Sequence, residues 1–134
     1  MEYHCTIEKE DEQYIAQFPD MPNIMTCGFS HEEAMAMAKD ALDGVLSVDI
    51  AQGKDIPNPQ FAGGYPVVVA NHIAIALQLR ALRGNQSQTE IAKRLGLSYQ
   101  AYQRLENPKR ANPTLKTLEK IAGAFGKELS VTIG

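Results

Sequence analysis

The sequence predicts an α+β protein in two parts: a β-β-β-α-β domain over residues 1–70, then an all-α helix-turn-helix domain over residues 71–134 that closes with a β-strand. Three observations lead there. Apolar and polar side chains alternate near the start of the chain, and from about Asn71 the apolar positions recur at helical spacing. Serine followed three residues later by glutamate, at Ser30/Glu33 and Ser87/Glu90, marks two helix starts. In each, hydroxyl and carboxylate satisfy backbone N–H groups reciprocally. The charge also changes sign: residues 1–66 hold 3 basic against 12 acidic side chains, net −9, and residues 67–134 hold 10 against 4, net +6, together the −3 of the 134-residue chain. Such a division points to one part that meets a polyanion and another that a polyanion would repel.

Composition bounds the rest. With 44% hydrophobic and 22% charged residues, 10 Gly and 7 Pro, the chain is of the ordinary globular class, which excludes collagen-like, mucin-like and wholly disordered proteins. No apolar run approaches the about 20 residues that span a bilayer. Met1-Glu2-Tyr3-His4 lacks the basic end and apolar stretch of a secretion signal, so a cytoplasmic protein with no membrane partner is expected. Cys5 and Cys27 are too few for a disulfide framework and are expected to remain thiols.

The elements follow in order. Tyr3–Glu8 alternates, Glu10-Asp11-Glu12 interrupts, and Tyr14–Phe18 resumes, which is a hairpin pattern closed by Pro19 and Pro22. A third strand is expected around Met25–Cys27. The helix opened by Ser30 has a predicted core stripe of Ala34, Ala38, Ala41, Val45 and Val48, flanked by Met35, Leu42 and Leu46, with Lys39, Asp40, Asp43 and Ser47 outward. Gln52–Gly64, punctuated by Gly53, Pro57, Pro59, Gly63 and Gly64, reads as a loop. Val67-Val68-Val69 reads as a strand covered on both faces, and His72–Arg83 as a helix ended by Gly84-Asn85.

Ser87–Glu90 opens a short helix with Ile91, Ala92 and Leu95 inward, stopped by Gly96. Ser98 caps the next helix, Tyr99 to Glu106, with Tyr102 and Leu105 inward. Two short helices across a glycine-containing turn make a helix-turn-helix. The run Gln88-Thr89-Glu90-Ile91-Ala92-Lys93-Arg94-Leu95-Gly96-Leu97-Ser98, then Arg104-Leu105-Glu106-Asn107, closely resembles the Cro/repressor-like helix-turn-helix family. Thr114-Leu115 with Leu118, Ile121, Ala122 and Phe125-Gly126 is similar to that family's following helix, while Pro108 stands where the family commonly has Gly.

The resemblance implies that the second helix enters the major groove of DNA. Helical spacing then places Tyr99, Gln100, Gln103 and Arg104 on one stripe opposite Tyr102 and Leu105. Gln100 suits adenine and Arg104 suits guanine. Gln88 before them and Lys109 or Arg110 after them suit phosphate contacts, and Ser98 completes the DNA-contacting set. Double-stranded operator DNA is thus one expected partner, bound as a homodimer on a palindromic site. Leu129-Ser130-Val131-Thr132-Ile133 alternates like a half-buried strand with no obvious partner in a helical domain. Either it pairs with its copy in a second subunit or it docks on its own domain. Dimers through the C-terminal domain could associate further into a tetramer.

In the first half, Phe18-Pro19-Asp20-Met21-Pro22, Thr26-Cys27-Gly28, Glu32-Glu33-Ala34 with Ala38 and Ala41-Leu42, and Ile56-Pro57 with Pro59 resemble the N-terminal domain of HicB antitoxins. That resemblance implies a partial RNase H-like unit that masks a small, basic HicA-type mRNA-cleaving toxin, joined to a domain that represses the shared operon. A net −9 suits such a partner independently, because an RNA-cleaving protein must present a positive surface to its substrate. Asp11, Glu12, Asp20, Glu32 and Asp55 are the candidate toxin-contacting carboxylates by charge and loop position.

Catalysis is not expected. Glu8, Glu10, Asp11 and Glu12 sit at a strand end and a hairpin turn, and no carboxylate in Tyr14–Phe18 or Met25–Cys27 completes a two-metal site. A zinc site from His4, Cys5, Cys27 and His31 fails on geometry, since adjacent strand residues point to opposite faces. His72 falls near a helix start rather than in a catalytic constellation. No cofactor and no metal are expected. The competing reading is a stand-alone transcriptional regulator whose N-terminal domain binds a small molecule or oligomerises.

Overall fold

In the computed structural model, which describes residues 1–134, the alternating N-terminal stretch forms β1 (Glu2–Glu10), and a turn at Asp11 returns the chain as β2 (Gln13–Phe18). Asp11 adopts φ 55°, the left-handed conformation that Asp tolerates better than most residues. Next comes β3 (Met21–Gly28), four residues longer at its start than Met25 and including Pro22. Pro22, expected to close the hairpin, thus lies inside a strand. The sheet order β3-β2-β1-β4 puts β3 at an edge, where a missing N–H breaks no ladder.

Ser30 caps α1 (His31–Ala51), accepting from the Glu33 N–H at 3.0 Å. Ala34, Ala38, Leu42, Leu46 and Ile50 are buried, whereas Val48 is exposed. The stripe therefore steps by four throughout instead of running through Ala41, Val45 and Val48. A step of four advances about 40° around the helix each time, so the buried line slants across the twisted sheet beneath. Leu42 and Leu46 are wholly buried, each worth about 1.5–3 kcal/mol of apolar transfer.

Gln52–Gly64 is a loop, but a pinned one. Asp20 accepts from the N–H groups of Gln60 and Phe61, both at 3.0 Å, the Tyr3 hydroxyl donates to the Pro57 carbonyl, and His4 Nδ1 lies 2.9 Å from the Gly63 carbonyl. Burial, with Asp20 nearby, pushes the Tyr3 phenol pKa up. Gly64 is required where it stands: at φ 62° a Cβ would meet the Cys5 carbonyl. The loop delivers β4 (Tyr65–Val68) antiparallel to β1, with Tyr3 opposite Val67. Lys39 of α1 bonds both Asp43 and the Val68 carbonyl, and Asp43 takes the Ala70 N–H.

The expectation that β4 is covered on both faces is wrong. Val67 is buried and Val68 is 57% exposed, because α1 packs on one face of the sheet and nothing in this unit packs on the other. Tyr3, Cys5, Ala16 and Phe18 are buried beneath α1. The chain divides into two units, Met1–Ala74 and Ile75–Gly134. Residues 67–74 carry no Asp, Glu, Lys or Arg, so the first unit keeps the net −9 and the second the +6.

The second unit takes most of α2 (Asn71–Arg83), then α3 (Gln88–Leu95), α4 (Tyr99–Leu105) and α5 (Leu115–Ala124). Its core is Leu79, Ile91, Ala92, Leu95, Tyr102, Leu105 and Ile121, with Ile75, Leu97, Ala124 and Phe125 packed against it. Ser87, Ser98 and Thr114 cap α3, α4 and α5. Gly96 ends α3 at φ 69°, the left-handed turn that lets α4 cross back over α3. Pro108 is buried, and Asn107 shapes the bend after α4 by accepting the Lys109 N–H on its side chain and the Arg110 and Ala111 N–H groups on its carbonyl.

The predicted C-terminal strand is absent from the chain: Lys127–Gly134 has no regular structure, and Val131 and Ile133 are 59% and 97% exposed. A strand exists only through the ladder it joins, and this helical unit offers no sheet edge.

Candidate nucleic-acid interface and partner surface

Tyr102 and Leu105 turn into the core of the second unit, which forces the opposite side of α4 outward. Tyr99, Gln100, Gln103 and Arg104 are accordingly exposed together, and Lys109 and Arg110 are exposed on the bend that follows. Ser98 is exposed as well, but its hydroxyl oxygen accepts the Ala101 N–H at 3.1 Å as the cap. Gln88 differs from its expectation. It is half-buried, and its side-chain amide points at the Glu106 carboxylate, 3.4 Å away.

Glu106 belongs to a cluster that local sequence patterns do not reveal. Arg83, at the end of α2, grips it with two hydrogen bonds of 2.8 and 3.0 Å, and a third Arg83 nitrogen donates to the Gln86 carbonyl at 2.9 Å. The neighbouring carboxylate raises the Arg83 pKa. Tyr102 buries its hydroxyl beside this pair, and that burial, with the Glu106 carboxylate next to it, raises its pKa above the ordinary phenol range. Arg94, which could have passed for a phosphate-binding cation, donates to the Ala124 carbonyl at 3.0 Å and stacks 4.9 Å over the Phe125 ring. It secures the end of α5.

In the first unit the candidate carboxylates do not converge. Asp11 and Glu12, with Glu10, Gln13 and Phe29, line a shallow open cleft at the β1–β2 turn. Glu32 is exposed in the first turn of α1, and Asp55 is exposed in the loop. Asp20 stands at the far end of β2, with its carboxylate already engaged by Gln60 and Phe61. His31 lies edge-on between the rings of Tyr14 and Tyr65, at 6.4 and 4.5 Å. Cys5 is buried 3.9 Å from the Met35 sulfur while Cys27 is exposed. Cys5 and His31 therefore lie on the α1 side of the sheet, and His4 and Cys27 on the opposite face.

Capped α3, the Gly96 turn and an exposed stripe on α4 define the second unit as a helix-turn-helix DNA-binding domain, and residues 78–131 match the helix-turn-helix family. Residues 2–80 match the family described as the HicB-like antitoxin of bacterial toxin-antitoxin systems. The chain is 33% identical to Antitoxin HicB 1 of Photorhabdus laumondii subsp. laumondii, an alignment covering 99% of this chain and 87% of that one. It is 31% identical to Antitoxin HicB of Escherichia coli (strain K12), covering 99% of both. The chain belongs to the HicB-like antitoxin family. No helix is long and apolar enough to cross a membrane.

Proposed function

We propose that the protein neutralises a HicA-type mRNA-cleaving toxin through its acidic first unit and represses its own operon by binding palindromic operator DNA through the second. The functional boundary is drawn at residues 70/71. One observation carries this reading: the two units hold net charges of −9 and +6, and the positive one exposes Tyr99, Gln100, Gln103 and Arg104 as a continuous polar stripe on a capped helix. In this reading Gln100 and Arg104 contact base edges, Tyr99 and Gln103 flank them, and Ser98, Lys109 and Arg110 hold phosphates. Gln88, turned toward Glu106, reaches a phosphate only by releasing that contact.

A homodimer through Leu129–Ile133 is part of the proposal. It is supported by the exposure of Val131 and Ile133 and by the lack of any edge in this unit for them to join. The test is co-expression of the full chain with the product of a short basic reading frame adjoining its own. Growth arrest by that product, relieved by this chain, together with a mobility shift on the chain's own promoter, establishes both halves. A regulator without a toxin partner gives the mobility shift alone.

A further inference from the structure

The face of the sheet turned away from α1 has no buried residue. Register defines its membership: Glu8 pairs with Ile15 and Ile15 with Cys27, while Thr6 pairs with Gln17 and Gln17 with Met25. An apolar group of Ile15, Met25 and Cys27 thus lies across β2 and β3, with Met25 65% exposed and Gln17 donating to its sulfur at 3.2 Å. Along β1 the same face carries Glu2, His4, Thr6, Glu8 and Glu10 and no lysine or arginine, with His4 Nε2 3.5 Å from the Glu2 carboxylate. Lys9, the one lysine or arginine of the three strands, falls on the other face, over the Tyr14 ring at 5.6 Å.

We infer that this open sheet face is where the first unit receives its polypeptide partner, and that the partner presents a cationic surface around an apolar centre. The inference rests on the antitoxin reading and names its contact surface. Carboxylates bordering an apolar strip, with no lysine or arginine among them, are complementary to lysine- and arginine-rich protein surface. They steer its approach, while the apolar centre holds it once docked. None of the five carboxylates singled out by loop position belongs to this face, which adjoins Asp11 and Glu12 only where β1 runs into its turn.

The test uses the full chain and the purified product of the adjoining basic reading frame. Glu8→Lys and Met25→Arg, each at an exposed position, are expected to weaken binding at least about tenfold while melting temperature and promoter binding stay at wild-type values. Glu8→Lys is also expected to slow association and flatten its salt dependence. Asp40→Lys, at an exposed position on α1, serves as the charge control and is expected to bind normally. Loss of binding in Asp40→Lys but not in the sheet variants overturns the inference and leaves the antitoxin reading standing. If Met25→Arg instead dissociates the protein's own oligomer with partner binding intact, a second copy covers this face and the inference again falls. A wild-type chain that ignores the basic product removes the antitoxin reading and this surface with it.

Discussion

Arg83 and Glu106 lie 23 residues apart in the chain, and the guanidinium of one closes on the carboxylate of the other with two hydrogen bonds of 2.8 and 3.0 Å. Their side chains are 20% and 6% exposed, so this is an ion pair inside the second unit rather than a surface decoration. It ties the end of α2 to the residue that caps α4, the helix bearing the proposed base readers.

Removing one partner leaves a desolvated charge. Glu106→Ala is expected to destabilise the second unit by about 3–5 kcal/mol, and Arg83→Met with Glu106→Leu together to recover most of that loss. Urea unfolding of the full chain followed by circular dichroism measures both. A single substitution costing under about 1 kcal/mol, the range of an exposed pair, contradicts the role assigned here.

Tyr102 makes stability sensitive to alkali. Burial holds its phenol protonated after an unfolded tyrosine, with a pKa of about 10, has ionised. A group whose folded pKa is raised contributes fully below the unfolded value and loses its contribution as pH rises beyond it. Stability is therefore expected to fall above about pH 10. Tyr102→Phe removes that part of the fall and leaves the smaller part due to Tyr3 in the first unit. At neutral pH the same substitution is expected to cost about 1 kcal/mol, because the hydroxyl faces the Arg83–Glu106 pair.

Base reading and phosphate holding separate by specificity. Arg104→Ala is expected to flatten preference among operator variants, losing about 1–3 kcal/mol at one position. Lys109→Ala is expected to weaken all duplexes alike and to reduce the salt dependence by about one counterion. Mobility shifts across operator variants at several salt concentrations distinguish them, and an equal loss of preference from both substitutions refutes the assignment.

Truncation after Lys127 removes the segment that has no ladder within the chain. Sedimentation is expected to show the oligomer reduced to monomer and operator affinity reduced with it. An unchanged oligomer refutes pairing through this segment.

Thiol chemistry reports the fold of the first unit. Cys27, exposed on the outer sheet face, is expected to react with a maleimide in the native protein. Cys5, buried and with its pKa raised by that burial, reacts only on unfolding. Mass spectrometry after brief labelling gives one adduct in the native state and two in denaturant.

Legibility followed the range of the physics. Ser30, Ser87 and Ser98 act within a turn of their helices, so hydroxyl caps and the Gly96 stop could be read directly from spacing. The exposed stripe of Tyr99, Gln100, Gln103 and Arg104 was readable for the same reason: once Tyr102 and Leu105 are apolar, helical periodicity leaves only one outward side. Strand limits were less accessible, since Pro22 is admissible in β3 only because β3 is an edge, and edge status belongs to the sheet. The slant of α1 over Leu42 and Leu46 likewise needed the twist of the strands below it.

The order of secondary elements, the opposite charges of the two parts and the outward face of the reader helix were determined by the chain alone, because caps, turns and amphipathic periods act over a few neighbouring residues. Tertiary structure decided what depends on distant residues meeting. It drew Gln88 toward Glu106 beneath Arg83, committed Asp20 to Gln60 and Phe61, and left the sheet face of Ile15 and Met25 uncovered. It also left Leu129–Ile133 unpaired, for a strand's hydrogen bonds are made with another strand and no local preference can supply one.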